Sequence, residues 1–218
     1  MKVLTLNTSH TNPENFKARF EALAAYINQE RPDIVLLQEG AGGIAALWLY
    51  HCWSTFSKLF KNLAGYDYAD YKSFYSPWPW MQYRNAVFTF WLITEVGCIQ
   101  TPKVSAEGAR TATMIQSGSI TAVSVHLSSD CDDMGRLLEM QTILNQVPSG
   151  SAIIGGDFNC VIGSAVWNLL SDNGFEVVGI GVDAVAVRGY DATSCQAVLP
   201  GVSDHPGVLV EIGEPLGS

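Results

Sequence analysis

Apolar residues near the start of the chain form two short continuous runs separated by a helical repeat. The runs 3–7 and 33–37 are typical of strands that are buried on both faces. Between them, segment 13–30 carries apolar residues at helical spacing, with Pro13 suited to the first turn and Pro32 placed to end the helix. The opening unit is therefore predicted to be β-α-β.

The pattern downstream predicts more strands and two more helices. Apolar periodicity indicates helices over 134–147 and 164–173, and Ser117-Gly118 is typical of a hairpin turn. Strands are expected at 86–94, 111–116, 120–125, 152–154, 175–180, 182–187 and 207–212. The two halves of the chain thus share an outline of strands, a helix and an acidic group at a strand end.

Segment 40–83 carries no clear periodicity, and no element is assigned to it. It begins with glycines, and its part 48–83 holds more than half of the chain's aromatic residues. These rings either pack against the sheet, which is the preferred interpretation, or line a substrate wall and stack on bases. An aromatic side chain exposed beside a phosphate site would favour single-stranded nucleic acid.

The length and composition fit one globular domain. The chain has 218 residues, of which 48% are hydrophobic and 15% charged, and this excludes a disordered chain. We assign 1–213 to a single domain and 214–218 to a tail. The net charge of −9 leaves no broad basic surface for nucleic acid, although a metal held by acidic residues can still attract phosphate locally.

The cysteines and the apolar runs bear on the compartment. The five cysteines are odd in number and form no C-x-x-C pair, which argues against a disulfide framework or a zinc cage and favours the cytoplasm. The N-terminal apolar run is too short for a signal peptide, and no run is long enough for a membrane span. No obligate protein partner is evident.

Polar groups able to bind metal or move protons follow five of the predicted strands. They are Asn7, Glu39, His126, Asp157 with Asn159, and Asp204 with His205. Because strand ends can meet at one edge of a sheet, these side chains are expected to form one site.

Six short motifs contain these residues and occur in a fixed order across residues 4 to 208. They are Leu-x-Leu-Asn, Asp-Ile-Val-Leu-Leu-Gln-Glu, His-Leu, Gly-Asp-Phe-Asn, Val-Asp-x-Val and Ser-Asp-His-Pro-Gly. In this order they resemble the deoxyribonuclease I-like endonuclease/exonuclease/phosphatase superfamily. The resemblance implies the α/β class and a four-layer α/β/β/α sandwich whose two sheets send loops to one edge.

The resemblance also implies a cofactor, Mg²⁺ or Mn²⁺. Glu39 would be its main carboxylate ligand, Asn7 a companion, and Asp204 a ligand either directly or through water. Ser9 stands where repair nucleases often have an acidic residue, which favours one metal over a two-metal clamp.

The remaining roles follow from the same resemblance. Asp157 would orient or deprotonate the attacking water, and Asn159 would hold the phosphate or that water. His205, oriented by Asp183, would stabilise the developing charge. His126 would contact a non-bridging oxygen or assist the leaving group.

Arg110 and two histidines outside the motifs complete the sequence-based assignment. Arg110 resembles a family arginine and could bind phosphate. The usual carboxylate partner of His126 is not evident, since region 80–84 offers Gln82, Tyr83 and Arg84 instead. His10 and His51 have no motif context and are predicted to be surface or loop residues.

These assignments predict a metal-dependent phosphodiesterase in which activated water attacks phosphorus in line. A nuclease acting on DNA, in preference to RNA, is the first hypothesis. The second is hydrolysis of a small phosphoester, a nucleotide or a phospholipid headgroup, because fold alone does not choose the substrate. The third is a non-catalytic binding module on the same scaffold.

Overall fold

The strands and helices of the chain follow the order expected for two similar halves. The structure is a computed structural model that describes residues 1–10, 14–75, 80 and 82–215. Its elements are β1 (Lys2–Asn7), α1 (Phe16–Glu30), β2 (Ile34–Gly42), α2 (Gly43–Tyr50), α3 (Thr55–Phe60), β3 (Asp67–Tyr75), β4 (Gln82–Thr89), β5 (Glu95–Gln100), β6 (Thr111–Ser117), β7 (Ile120–His126), α4 (Asp133–Leu144), β8 (Ser151–Asp157), α5 (Ala165–Asp172), β9 (Glu176–Ile180), β10 (Asp183–Arg188), β11 (Tyr190–Val198) and β12 (Gly207–Pro215).

Two six-stranded sheets form the centre of the molecule. The first has the order β11-β12-β1-β2-β4-β3, and the second has the order β5-β6-β7-β8-β10-β9. Each sheet contains one parallel pair, β1–β2 or β7–β8, and its other described pairs are antiparallel. A parallel pair needs a crossover, which α1 and α4 provide.

Three apolar clusters define the layers. Leu36 and Val185 belong to a cluster formed by the facing sides of the two sheets. Leu23 of α1 shares a second cluster with Leu37 on the outer side of the first sheet, and Met140 of α4 belongs to a third on the outer side of the second sheet. Successive residues of a strand therefore pack in opposite layers. The predicted α/β class and its four-layer α/β/β/α sandwich are confirmed.

Most of the predicted elements are present, with shifted ends. The opening β-α-β unit, the hairpin around Gly118 and the two later helices are confirmed. Pro13 lies outside the described residues. Segment 40–83 contains α2, α3 and β3, and strand 86–94 ends at Thr89 instead. Strands β5 and β11 were missed because both are largely exposed and lack an apolar face.

The last strand extends into the segment assigned to the tail. β12 runs to Pro215, whose register partner is Tyr190 of β11, so Glu214 and Pro215 belong to the sheet. Both residues are exposed and carry no apolar signal in the sequence.

Two glycines allow β8 to pass close to its neighbours. Gly156 has φ 153, and a Cβ atom there would lie 1.9 Å from the carbonyl oxygen of Val125. A Cβ atom on Gly155 would lie 2.6 Å from Leu36 of the other sheet. Only glycine therefore fits at the two positions of β8 that precede Asp157.

Direct hydrogen bonds join the two sheets near the same edge. Gln38 of β2 donates to Ser124 of β7 over 3.0 Å, and Ser124 donates to the carbonyl of Leu37 over 3.0 Å. Asn85 of β4 donates to the carbonyl of Thr111 over 3.0 Å. Because these groups are buried, the bonds fix the position of one sheet against the other.

Two observations address the compartment-related predictions. Within the described ranges, no helix is long and apolar enough to cross a membrane. All five cysteines are present as thiols with no disulfide between them. Cys160 packs in the cluster that contains Trp167, as a small apolar residue does.

His10 lies in the loop after β1, which is one of the two predicted alternatives, but its side chain is buried and not at the surface. Its Nδ1 atom lies 3.1 Å from the hydroxyl of Thr55, and its ring centroid lies 5.1 Å from that of Phe16. Burial first, and the charge of Arg19 second, lower the pKa of His10 to about 3. The surface alternative was wrong because Thr55 and Phe56, which are distant in sequence, enclose the ring together with Phe16. His51 is exposed, as predicted.

Replacing His10 should reduce the acid sensitivity of the fold. The pKa of His10 is about 3 in the folded state and 6.5 for an ordinary histidine, so the unfolded chain binds the extra proton between these values. Stability is therefore lost as the pH falls below 6.5, by about 1.4 kcal/mol per pH unit. In His10→Phe the free energy of unfolding should fall less on acidification, which urea titrations at several pH values measure.

The control is His51→Phe, which alters an exposed histidine and should keep the wild-type pH slope. The slope of the free energy of unfolding against pH is the diagnostic quantity, because loss of the Thr55 contact lowers that free energy equally at every pH. An unchanged slope in His10→Phe would contradict the assignment.

Candidate active site

A cavity of about 260 Å³ lies where the ends of β1, β7 and β8 meet an irregular part of β2. Seven of the residues predicted from the sequence line it. They are Asn7, Glu39, Arg110, His126, Asp157, Asn159 and His205. Tyr83, Glu107 and Ser129 complete the lining. The cavity spans the junction of the two sheets, so neither sheet forms it alone.

One carboxylate oxygen, Oδ2 of Asp157, is the focus of the cavity. It accepts a hydrogen bond from Asn7 over 3.2 Å. The Nε2 atoms of His126 and His205 lie 3.6 Å and 3.9 Å away from it. The other oxygen, Oδ1, accepts from the backbone N–H of Asn159 over 2.9 Å. The two described imidazoles of the site thus face the same oxygen.

A β-bulge directs Glu39 into the cavity. The register between β2 and β4 shifts between Leu37 and Gly40, and Glu39 has φ 54. A bulge turns a side chain away from the regular alternation of a strand. The carboxylate of Glu39 therefore reaches Asn7, which donates to its Oε1 atom over 3.0 Å.

Asn159 is fixed by its own backbone conformation and by its amide. It has φ 50, which is a left-handed conformation that asparagine tolerates. Its backbone N–H donates to Oδ1 of Asp157 and closes a local turn. Its Nδ2 atom donates to the carbonyl of Leu127 over 2.8 Å. The loop after β8 is thereby tied to the loop after β7.

Asp157 and His205 have opposite charges near neutral pH. Burial, and then the charge of Asp183, raise the pKa of Asp157 to about 6. The hydrogen bond to Asp183, over 2.7 Å from Nδ1, raises the pKa of His205 to about 9 against the opposing effect of burial. Asp183 thus orients the imidazolium of His205 towards the cavity.

His126 is neutral. Burial first, and then the charges of Arg110 and His205, lower its pKa well below the ordinary value. Its Nε2 atom lies 4.0 Å from Oε1 of Glu39, while its Nδ1 atom has no hydrogen-bond partner among the described residues. No described residue of region 80–84 supplies the carboxylate partner, and Arg84 there is bound to Asp70 over 2.8 Å.

The donor set around Asn7 fits a hard divalent cation. The NH₂ group of Asn7 lies between the carboxylates of Glu39 and Asp157, so a weak positive dipole stands where two anionic oxygens converge. Carboxylate and amide oxygens are the ligands that Mg²⁺ and Mn²⁺ prefer. The Oδ1 atom of Asn7 accepts from the N–H of Ser9 in this arrangement.

A second group of potential ligand atoms is less suitable. Asp157, Asp183 and His205 have atoms within 4.8 Å of one another. The Oδ2 atom of Asp183, however, is bound to Nδ1 of His205 over 2.7 Å, and Asp183 does not line the cavity. We therefore favour the Glu39 side of the cavity for a metal.

Asp204 lies apart from the other predicted ligands. Its side chain is exposed, and it accepts from the hydroxyl of Ser203 over 2.9 Å. It lines a neighbouring cavity together with Arg19 and Ser9. Its charge still contributes to the raised pKa of His205.

Arg110 enters the cavity from a buried position. Its Nη2 atom lies 2.6 Å from a carboxylate oxygen of Glu107, and its Nε atom donates to Ser128 over 3.4 Å. Sequence reasoning missed Glu107, since it lies in a loop without a preceding apolar strand or a matching motif. Only the chain reversal between Ser105 and Gly108 brings it to the site.

The aromatic segment mainly serves packing, as preferred from the sequence. Phe56 and Tyr66 are buried in the outer cluster of the first sheet, whereas Trp48 is 79% exposed. Tyr83 alone among the described aromatic residues of this segment lines the cavity. Trp78 lies outside the described residues.

Comparison with known proteins gives consistent matches. The model of the Endonuclease/Exonuclease/phosphatase family matches residues 4–205. No curated protein matches the sequence. A solved family protein from Leptotrichia buccalis C-1013-b has 21% identity and a TM-score of 0.78, with 98% of this chain and 100% of that chain covered.

Two further structures share the fold at lower identity. The catalytic domain of human Nocturnin, solved with a bound sulfate anion, has 14% identity and a TM-score of 0.71, with 98% and 93% covered. A mannosyl-6-phosphatase from Bacteroides thetaiotaomicron VPI-5482 has 14% identity and a TM-score of 0.68, with 98% and 100% covered. The family model spans nearly all motifs of the site, and the chain belongs to the endonuclease/exonuclease/phosphatase family.

Proposed function

We propose that this chain is a Mg²⁺- or Mn²⁺-dependent phosphodiesterase that cleaves nucleic acid, DNA in preference to RNA, in the cytoplasm. The observation that carries the proposal is the convergence of Asn7, His126 and His205 on one oxygen of a buried carboxylate, Asp157. A carboxylate oxygen that is flanked by an imidazolium and an amide is suited to activating water beside an anionic phosphate.

Glu39 would hold the metal, with Asn7 and Asp204 completing the proposed set. When bound, the ion would withdraw charge from the phosphate and help to orient it. Coordination by Asn7 through its oxygen requires the amide to turn, because its nitrogen now faces Glu39 and Asp157. Asp204 is more suited to contact through water, since its side chain is exposed and lines the adjacent cavity.

Asp157 accepts the proton of the attacking water in this mechanism. Its pKa of about 6 leaves it ionised at neutral pH and makes it a stronger base than an ordinary aspartate. The N–H of Asn159 holds the carboxylate through Oδ1, and this bond does not depend on the orientation of the Asn7 amide.

In the proposed mechanism, positive and polar groups of the cavity hold the phosphate. His205 is protonated and offers an N–H at Nε2, so it offsets negative charge that develops on phosphorus oxygens. Asp183 fixes the orientation of its ring. Asn159 and Arg110 line the same cavity and bind phosphate oxygens in the proposal, and the neutral His126 contacts a non-bridging oxygen or the leaving group.

A small phosphoester is the second candidate substrate. The cavity is compact, carries the carboxylate of Glu107 and belongs to a chain with a net charge of −9, which all disfavour a long polyanion. The mannosyl-6-phosphatase is an example of the same fold whose name indicates a sugar phosphate. Nucleotides and phospholipid headgroups belong to the same class. A non-catalytic binding module is the third.

Asp157→Asn should abolish most turnover without loss of the fold. The amide is isosteric but cannot accept the proton, and a general base contributes about 10²- to 10⁴-fold to rate. We expect kcat for a chromogenic phosphodiester with Mg²⁺ to fall within this range. Asp172→Asn, at the exposed end of α5, is the matched control. Full activity of Asp157→Asn would refute the role of base.

Glu39→Gln should weaken metal binding. The substitution removes one negative charge from the donor set and keeps the shape of the side chain, so the affinity for Mg²⁺ or Mn²⁺ should fall by at least about tenfold. Isothermal titration calorimetry of the purified protein measures this without turnover. Glu95→Gln, exposed on β5, should bind metal as the wild type does. Equal affinity in Glu39→Gln would exclude Glu39 as the main ligand.

A substrate panel decides between the three functions. Duplex DNA, single-stranded DNA, RNA, sphingomyelin and inositol phosphates are assayed with Mg²⁺, and the nuclease proposal expects cleavage of DNA at the highest kcat/KM. Turnover confined to the substrates that are not nucleic acids would refute the nuclease and support the second candidate. No turnover on any member, together with no metal binding by calorimetry, would support the binding module.

A further inference from the structure

A carboxylate of the protein itself covers the guanidinium of Arg110 inside the cavity. Oε2 of Glu107 lies 2.6 Å from Nη2 of Arg110. The two side chains differ in environment, because that of Arg110 is 3% exposed and that of Glu107 is 42% exposed. Both line the cavity beside Asp157 and His205.

Arg110 is held from behind by a buried network. Its Nε atom donates to the hydroxyl of Ser128, which donates to the carboxylate of Glu139 over 2.8 Å. Glu139 is fully buried on α4 and also accepts from the N–H of Ser128 over 2.8 Å. The backbone N–H of Arg110 donates to Thr101 over 3.1 Å. The guanidinium therefore has a fixed position.

Glu107 is attached differently. It lies within a tight reversal in which Ser105 and Gly108 are bonded over 3.3 Å, and the N–H of Ala106 donates to Asp130 over 3.1 Å. These bonds use the backbone of the loop and leave the Glu107 side chain partly in solvent. Rotation of that side chain into water would uncover Nη2 of Arg110 without burying a charge.

A carboxylate and a phosphate bind the same edge of a guanidinium in the same way. A phosphate that approaches Arg110 must therefore displace Glu107 or share the arginine with it, and it is repelled by the displaced charge when it carries further anionic groups nearby. We propose that Glu107 is a specificity-determining residue. It competes with substrate phosphate for Arg110 and selects against ligands that bring more than one phosphate group to the cavity.

The inference rests on the proposed function only through the assignment of Arg110 to phosphate binding. It deepens the choice of substrate within that function, because discrimination against further phosphate charge favours a small phosphoester, the second candidate, over nucleic acid. Two other roles for Glu107 give different results when it is replaced. A metal ligand would lose Mg²⁺ affinity, and a residue that only supports the loop would leave anion affinity unchanged or weakened.

The test replaces Glu107 with glutamine and measures anion binding without turnover. Inorganic phosphate and pyrophosphate are titrated into the wild type and Glu107→Gln by calorimetry, with Mg²⁺ held constant. An accessible ion pair accounts for up to roughly a fivefold change in affinity, so phosphate should bind up to about fivefold more tightly to the variant. Pyrophosphate should gain more than phosphate.

Controls separate competition at Arg110 from a general effect of charge. Glu95→Gln removes one negative charge at the far end of β5 and should leave both affinities unchanged. In an Arg110→Met background the gain from Glu107→Gln should disappear, as a double-mutant cycle requires. Arg110→Lys, which should reduce the gain, serves as the background if Arg110→Met does not fold.

Four outcomes would overturn the inference. They are unchanged or weaker phosphate binding in Glu107→Gln, a loss of Mg²⁺ affinity in that variant, a gain of equal size for phosphate and pyrophosphate, and a gain that persists without Arg110. Because binding is measured directly, failure of the proposed nuclease activity leaves this result readable. Cleavage of DNA by a protein in which Glu107→Gln weakens phosphate binding would refute the inference alone.

Discussion

Burial of the Asp157 carboxylate is the constraint on which the rest of the site depends. The residue is 2% exposed, and an ionised carboxylate in such a place is unfavourable unless donors and positive charge compensate it. Compensation comes from Asn7 on one sheet, the backbone of Asn159 on the other and the imidazolium of His205. It is incomplete, which is why the pKa of Asp157 stays raised. A carboxylate in this state is a usable base and remains attractive to a cation.

The two sheets must hold a fixed relative position for this compensation to occur. Gly155 permits the close approach of β8 to Leu36 of the other sheet, and the bond from Gln38 to Ser124 fixes the two sheets against each other. The apolar layer around Leu36 supplies the area that drives the sheets together. Packing therefore determines how near the sheets lie, and buried hydrogen bonds determine their register. The chemistry at the cavity depends on both.

The sequence was informative where a residue's surroundings are local. Buried strands such as β1, β2 and β8 have continuous apolar runs, and the order of residues along the chain was enough to place the polar groups that end them at one edge. Edge strand β11 lacks such a run. His10 packs against Thr55, which lies far along the chain. Glu107 reaches Arg110 through a tight chain reversal, and the exposed position of Asp204 depends on a loop conformation. No short pattern encodes these relations, which form only when the tertiary structure does.

Glu39 in the cavity and Ser9 in the neighbouring cavity adopt a left-handed backbone conformation that their own side chains disfavour. Their φ values are 54 and 47, whereas Asn159, with φ 50, is of a residue type that tolerates this conformation. Non-glycine residues in this region carry a local energetic penalty that the surrounding structure must offset. Local preference and the native state therefore disagree at the site, while they agree along the strands. On warming, the cavity edge should lose its order while both sheets are still intact, so that inactivation precedes unfolding.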